Sequence, residues 1–280
     1  MAAREARPEA RRLEETNPPS EPGRERPGSS LQSPLMPTVR RWCLAVVLAL
    51  ALGSCGGGGG ATPDALIGQD VTFNAPVSPG SGQLIALHGI ERGSGSVGVV
   101  LAHMLGSSQS AWSPIVGDIV DKGFHVLTFD FRGHGASGGS GRDPSHADLD
   151  LAAAVAKLRS LGATRILIVG ASMGGTAAIK VAATENLAGV VSISGPAKID
   201  ALDAAAAAPK LREPVLFIVG RGDDVRYTDA ARTLYAAAPQ PKILEVIDGT
   251  SAHGTDLLSE PKVSSRVKKL ILDFLISHRG

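Results

Sequence analysis

Between residues 97 and 247, short apolar runs rich in β-branched residues alternate with segments of helical spacing. The runs cover 97–102, 126–129, 166–169, 190–193, 215–219 and 243–247. Nearly every position in a run is apolar, which is typical of strands that are buried on both faces, as in a parallel sheet. This alternation predicts an α/β domain with a doubly wound, mostly parallel sheet.

Residue patterns also predict the helices and the first strands of the domain. Apolar residues recur at helical spacing within 112–120, 151–158 and 263–274. Two strand-like runs, 71–73 and 84–87, are separated by a turn rich in Pro, Gly and Ser and predict an antiparallel lead-in hairpin. Residues 195–213 leave room for one short helix with few large apolar side chains. We therefore expect one domain over residues 67–280 with no large cap domain.

The first 66 residues differ in composition from the rest. Residues 1–35 contain six Arg, six Glu and six Pro, so we interpret them as disordered or as a mis-called extension upstream of a true start at Met36. In residues 36–54, Arg40 and Arg41 precede an 11-residue apolar run, which is too short to span a membrane as a helix. The segment ends in Leu-Gly-Ser before Cys55 and resembles a bacterial lipoprotein signal peptide.

This resemblance implies export and acylation of Cys55, with residues 55–66 as a flexible tether to a membrane. An ordinary secretory signal with a chance cysteine, or a short hydrophobic core segment, is the alternative.

Charge and residue usage exclude several kinds of site. The 28 basic and 27 acidic side chains give no electrostatic reason to expect a nucleic-acid partner. Both cysteines, Cys43 and Cys55, precede the domain, so it has neither a disulfide framework nor a cysteine metal site. His146 and Asp148 lack the spacing of a metal site. Residues 133–138 match Gly-x-Gly-x-x-Gly, but no helix follows to bind a phosphate. We expect no metal and no cofactor.

Two segments match Gly-x-Ser-x-Gly, and their contexts differ. Residues 135–139 lie in a glycine-rich loop with no helix after it, which we interpret as a chance match. Residues 170–174 follow the predicted strand 166–169 and lead directly into a helical pattern. A turn between strand and helix forces the central serine into a strained, exposed conformation. The pattern therefore predicts Ser172 as a nucleophile, with a plain strand–helix turn as the alternative.

A serine nucleophile needs a base and a group that orients the base. His253 follows the last predicted strand, at the edge of a parallel sheet where ligands bind. Asp223 and Asp224 follow the preceding strand, and either could hold the imidazole. The alternatives are a loop histidine bonded to backbone and two solvated carboxylates. The order Ser, Asp, His along the chain is that of the α/β-hydrolase fold.

On these residues the chain resembles the α/β-hydrolases from about residue 71 to the C-terminus. The family's Gly-x-x-Asp turn matches Gly220 to Asp223, which favours Asp223 over Asp224. The family's His-Gly-x segment after the third strand corresponds to residues 103–105. The resemblance thus implies an oxyanion hole formed by the N–H groups of Leu105 and Met173, with Met104 as the second choice. Residues 130–135 are similar to the family's loop after the fourth strand, where Arg132 and His134 are expected to be structural.

The resemblance implies an exported, membrane-anchored serine hydrolase that acts on esters through a covalent acyl-enzyme. Its substrate would be a small molecule or an exposed ester of a larger one. Two alternatives stay open at this point. A surface lipoprotein could use the same fold as a binding scaffold, and an acyltransferase or peptidase could use the same triad.

Overall fold

The computed structural model describes residues 68–280. Its strands are β1 (Gln69–Pro76), β2 (Leu84–Arg92), β3 (Val97–Ala102), β4 (His125–Phe129), β5 (Arg165–Ala171), β6 (Gly189–Ile193), β7 (Lys198–Ile199), β8 (Leu202–Asp203), β9 (Val215–Gly220) and β10 (Lys242–Ile247). Its α-helices are α1 (Ser113–Asp121), α2 (Ala147–Ser160), α3 (Met173–Ala182), α4 (Ala204–Ala207), α5 (Val225–Ala237) and α6 (Ser264–Ser277). Short 3₁₀ turns cover Gln109–Trp112, Pro144–His146, Ala208–Lys210 and Gly254–Leu258.

Eight of these strands form one sheet in the order β1-β2-β4-β3-β5-β6-β9-β10. Neighbouring strands from β4 to β10 pair in parallel, whereas β2 pairs antiparallel with both β1 and β4. The prediction of a mostly parallel α/β sheet with an antiparallel lead-in hairpin is therefore confirmed. Because β3 and β5 lie side by side, the segments after them meet at one edge of the sheet.

The central strands are buried on both faces, which explains their continuous apolar runs. In β3, Val100 packs in one hydrophobic cluster while Val99 and Leu101 pack in a second cluster on the opposite face. In β5, Ile168 and Val169 divide between the same two clusters. Successive side chains of a strand point to opposite faces, so both layers of helices need apolar partners.

The segment between β6 and β9 is short. It contains a hairpin of the two-residue strands β7 and β8, the single helical turn α4 and a 3₁₀ turn. The sequence predicts one short helix here, and the structure adds the small hairpin. No separate cap domain is inserted in the part of the chain that the structure describes.

Helix α5 is the one long element that the sequence pattern does not predict. Its buried positions are mostly small or polar, namely Thr228, Ala230, Ala231 and Leu234. Side chains of this kind give little hydrophobic periodicity, although they allow the helix to lie close to β9 and β10. Among residues 68–280, no helix is both long enough and apolar enough to cross a membrane.

Candidate active site

The turn between β5 and α3 holds Ser172 in a strained conformation. Ser172 has φ +49° and ψ −115°, a region that residues with a Cβ rarely adopt. The flanking glycines are required by packing as well. A Cβ on Gly170 would overlap the carbonyl oxygen of Gly174, and a Cβ on Gly174 would overlap that of Ala102. The turn therefore brings the start of α3 directly against the end of β3.

His253 connects Ser172 to Asp223. The Nε2 atom of His253 lies 2.8 Å from Ser172 Oγ, and its Nδ1 atom lies 2.9 Å from Asp223 Oδ2. The Asp223 side chain is only 4% exposed, whereas the His253 side chain is 26% exposed. The structure thus brings together the three side chains that the sequence singles out, with the imidazole between a hydroxyl and a buried carboxylate.

Asp224 has a different environment from its neighbour. Its side chain accepts a hydrogen bond from the Arg226 N–H at the start of α5 and forms an exposed ion pair with the Arg226 guanidinium. The hydrogen bond from this N–H lowers the pKa of the Asp224 carboxyl. The Asp224 N–H donates to Asp223 Oδ1 at 2.8 Å. Asp224 therefore caps the helix and orients Asp223, while Asp223 alone of the two contacts His253.

The N–H groups of Leu105 and Met173 lie in the two segments that meet beside Ser172. Neither N–H donates a hydrogen bond within the described residues. Met173 is the first residue of α3, where N–H groups have no partner inside the helix and the helix dipole is positive. Leu105 lies in the turn after β3 and is 40% exposed. Both groups are thus free to donate to a ligand.

Three side chains hold the loop after β3 against the loop after β4. His103 Nε2 accepts from the Phe131 N–H, and His134 Nε2 accepts from the Gly106 N–H at 3.1 Å. Asp130 accepts from the N–H of Gln109 at 2.8 Å. These contacts fix the turn that carries the Leu105 N–H.

His103 is neutral in this arrangement. Its Nδ1–H donates to the carbonyl of Met104, so Nε2 can accept only while it is unprotonated. Burial lowers the pKa of His103 to about 4, in agreement with this tautomer. The hydrogen bonds of Arg132 likewise serve the scaffold, because its guanidinium binds buried Asp150 and the carbonyl of Pro76.

The remaining sequence candidates lie elsewhere or outside the structure. Ser137, the serine of the other Gly-x-Ser-x-Gly match, lies in a loop, donates to the Asp130 carbonyl and accepts from the His88 N–H. Asp148 pairs with Lys180 at 2.8 Å. Cys55 and the segments 1–35, 36–54 and 55–66 lie outside the described residues.

The sequence patterns do not predict that Tyr227 lies beside the site. The ring of Tyr227 lies against His253, with centroids 4.1 Å apart and planes inclined by 41°. A Cβ on Gly254 would lie 3.0 Å from Met104 Sδ and 3.8 Å from Ser172 Cβ, so the Met104 thioether packs beside the turn that carries Ser172. One sequence signal could have indicated the contact between Tyr227 and His253. An aspartate at 224 is a good helix N-cap, and Tyr227 follows it within one turn.

The comparison with protein families agrees with this arrangement. A model described as the alpha/beta hydrolase family matches residues 87–270, which is more than half of the chain. The chain belongs to this family. No curated protein gave a significant match.

Solved structures show the same fold at low sequence identity. An esterase of Pyrococcus furiosus has a TM-score of 0.65 and 22% identity, and the match covers 79% of this chain and 97% of that one. A malate-bound esterase of Thermogutta terrifontis has a TM-score of 0.61 and 20% identity, with coverages of 76% and 100%. A monoacylglycerol lipase of Paleococcus ferrophilus has a TM-score of 0.59 and 19% identity, with coverages of 69% and 99%.

Proposed function

We propose that this alpha/beta hydrolase is an esterase that forms a covalent acyl-enzyme on Ser172. The observation that supports this most strongly is the pair of hydrogen bonds in series, from Ser172 Oγ to His253 Nε2 and from His253 Nδ1 to Asp223. A nucleophile, a base and a buried carboxylate in this order form the arrangement that activates a serine hydroxyl. The strained backbone of Ser172 adds to it, since such strain is concentrated at functional sites.

In the proposed reaction, Ser172 Oγ attacks the carbonyl carbon of the ester while its proton moves to His253 Nε2. Asp223 holds the Nδ1–H and stabilises the imidazolium that forms. The tetrahedral intermediate then breaks the bond to the alcohol oxygen, which takes the proton from Nε2 and leaves. A water molecule attacks the acyl-enzyme by the same proton transfers and releases the carboxylic acid and free Ser172.

The oxyanion of both intermediates would be bound by the N–H groups of Leu105 and Met173. Each such donor contributes about 3–4 kcal/mol to stabilisation of the transition state. The hydrogen bonds from His103, His134 and Asp130 support this role, because they fix the turn that carries the Leu105 N–H.

The substrate we propose is a short-chain ester or an ester that is exposed on a larger molecule. The short segment between β6 and β9 leaves no apolar lid to enclose a long acyl chain. Leu105 in the turn after β3 and Val225, two residues after Asp223, are large apolar residues with 40% and 67% exposure, which is little exposed apolar surface for binding a long acyl chain. The names of the Pyrococcus and Thermogutta proteins favour ester bonds as well.

We also propose export and lipid anchoring at Cys55, which depend on the sequence pattern of residues 36–55. A multiply acylated cysteine would bind a membrane stably, since each buried methylene adds about 0.8 kcal/mol. The domain would then act at a membrane surface while its active site stays open to water.

A fluorophosphonate probe tests the assignment of Ser172, because it reacts with serines that an adjacent base has activated. We expect one adduct on the peptide that contains Ser172, and neither labelling nor ester hydrolysis in Ser172→Ala. Ser137→Ala is the matched control, since it removes the serine of the other Gly-x-Ser-x-Gly segment, and it should be labelled normally. Persistent labelling of Ser172→Ala would refute the assignment. Labelling of Ser172 without any ester turnover would instead refute the esterase activity.

A further inference from the structure

Tyr227 is the aromatic side chain that contacts His253 in the described residues. The two ring centroids are 4.1 Å apart, a distance at which the rings are in van der Waals contact. The planes are inclined by 41°, so part of the imidazole face is covered. This contact differs in kind from the hydrogen bonds to Ser172 and Asp223, which are made at the ring edges.

The start of α5 fixes where Tyr227 lies. Asp224 caps the helix through the Arg226 N–H, and the Tyr227 N–H donates to the Asp224 carbonyl at 2.9 Å. Asp224 also donates its own N–H to Asp223 Oδ1. One capped turn therefore carries both the carboxylate at the Nδ1 edge of His253 and the ring against its face.

The charges beside Tyr227 are exposed to solvent. The guanidinium of Arg226 lies 5.2 Å from the Tyr227 ring centroid and pairs with Asp224 at 3.1 Å. The cation and the anion next to the tyrosine thus neutralise each other. Because exposed ion pairs contribute little, the position of the ring depends on the capped helix backbone.

We propose that Tyr227 is a positioning residue that holds the imidazole of His253 in line with Ser172. This inference rests on the proposed esterase mechanism. The hydrogen bonds at the two ring edges resist out-of-plane tilting of the imidazole only weakly. The energy of a hydrogen bond changes little while its donor–hydrogen–acceptor angle stays above about 150°. A second ring in contact with the face opposes that tilt directly.

The contact has a second consequence in the reaction. His253 becomes an imidazolium when it takes the Ser172 proton, and the electron-rich face of an aromatic ring attracts a cation. At a partly exposed site this attraction corresponds to about twofold to fivefold in rate. This attraction and the alignment of His253 with Ser172 both depend on the Tyr227 ring. We therefore expect loss of the ring to lower kcat by about tenfold. KM should change little, because the contact that the ring makes in the structure is with the base.

The experiment compares Tyr227→Ala, Tyr227→Phe and Tyr235→Ala with the unchanged protein. Tyr235 lies two turns further along α5, where its ring contacts the ammonium of Lys242 at 4.7 Å, so its loss controls for damage to the helix. We measure kcat and KM for p-nitrophenyl acetate, together with the thermal unfolding temperature. We expect a tenfold lower kcat and a KM within about threefold for Tyr227→Ala. Tyr227→Phe retains the ring and should stay within about twofold of the unchanged kcat, as should Tyr235→Ala.

An unchanged kcat in Tyr227→Ala would overturn the proposal, and so would a loss in Tyr227→Phe as large as that in Tyr227→Ala. If Tyr227→Ala unfolds, Tyr227→Gln decides, because glutamine favours a helix and presents no rigid group to the imidazole face. Ser172→Ala and His253→Ala are measured in the same series. If these two retain activity, the esterase mechanism fails. If they lose activity while the folded Tyr227 variant that lacks the ring does not, only the positioning role fails.

Discussion

Replacement of Asp223 by asparagine tests how the carboxylate controls His253. Both carboxylate oxygens accept hydrogen bonds, Oδ2 from the His253 Nδ1–H and Oδ1 from the Asp224 N–H. Asparagine has one oxygen and one NH₂ group, so it can satisfy only one of these two donors. The side chain is 4% exposed, which leaves little room for water to satisfy the other.

Each orientation of the asparagine has a cost. If its oxygen faces the Asp224 N–H, its NH₂ group faces Nδ1 and forces the proton of the imidazole onto Nε2. His253 then cannot accept the Ser172 proton. If the amide turns over, its NH₂ group opposes the Asp224 N–H, and a buried unsatisfied donor costs about 1–3 kcal/mol.

The charge is lost in either orientation. A hydrogen bond to an ionised group is worth about 1–1.5 kcal/mol more than one between neutral groups. The unsatisfied donor and the lost charge act together. With about 1.36 kcal/mol per factor of ten in rate, they lower the rate by roughly 30- to 2,000-fold. In Ser-His-Asp hydrolases the corresponding change lowers kcat about 10⁴-fold. We therefore expect kcat to fall by between about 10² and 10⁴.

Asp224→Asn is the matched control, because it makes the same chemical change one residue away. Asparagine caps helices as well as aspartate does, so kcat should stay within about threefold and the helix should keep its stability. Both variants are assayed with p-nitrophenyl acetate at saturation, and thermal unfolding verifies that each is folded. This account of the site would be refuted if kcat fell further in Asp224→Asn than in Asp223→Asn. It would also be refuted if folded Asp223→Asn kept more than a tenth of the unchanged protein's kcat.

Two further predictions concern the substrate and the anchor. Across p-nitrophenyl esters of increasing acyl length, activity should be highest for short chains and should show ordinary saturation. A steady rise to long chains, or a jump at micelle formation, would contradict an open site, and Ser172→Ala gives the background rate. In a bacterial host, Cys55→Ser should abolish fatty-acid labelling and release the protein from membranes, whereas Cys43→Ser should leave the labelled mature protein unchanged. A mature protein that retains residues 1–54 would contradict this processing.

Much of the sheet was predictable from residue patterns. The six predicted apolar runs correspond to β3, β4, β5, β6, β9 and β10, with ends that differ by at most two residues. All of these strands except the edge strand β10 are buried on both faces and need apolar side chains at nearly every position, which leaves a clear signal. Helix α5 left no such signal, because Leu234 is its only large apolar side chain among four buried positions, the others being Thr228, Ala230 and Ala231.

The candidate site was predictable only in part. Glycines at 170 and 174 and the position between strand and helix single out Ser172, because local sterics determine that turn. The choice between Asp223 and Asp224 depended on a family pattern. In the structure the two carboxylates face different partners, His253 for one and the start of α5 for the other. Adjacent residues have the same sequence context, so spacing alone could not separate them.

The sequence by itself determined the strands of the parallel sheet and most of the helices between them, the strained turn at Ser172 and the edge of the sheet where His253 and the aspartates lie. These features depend on contacts within a few residues or on the burial of whole strands. Only the tertiary structure decided that Tyr227 contacts His253 and that His103, His134 and Asp130 fix the loop of Leu105. Those contacts join segments far apart in the chain, and their geometry exists only once the sheet has brought the loops together.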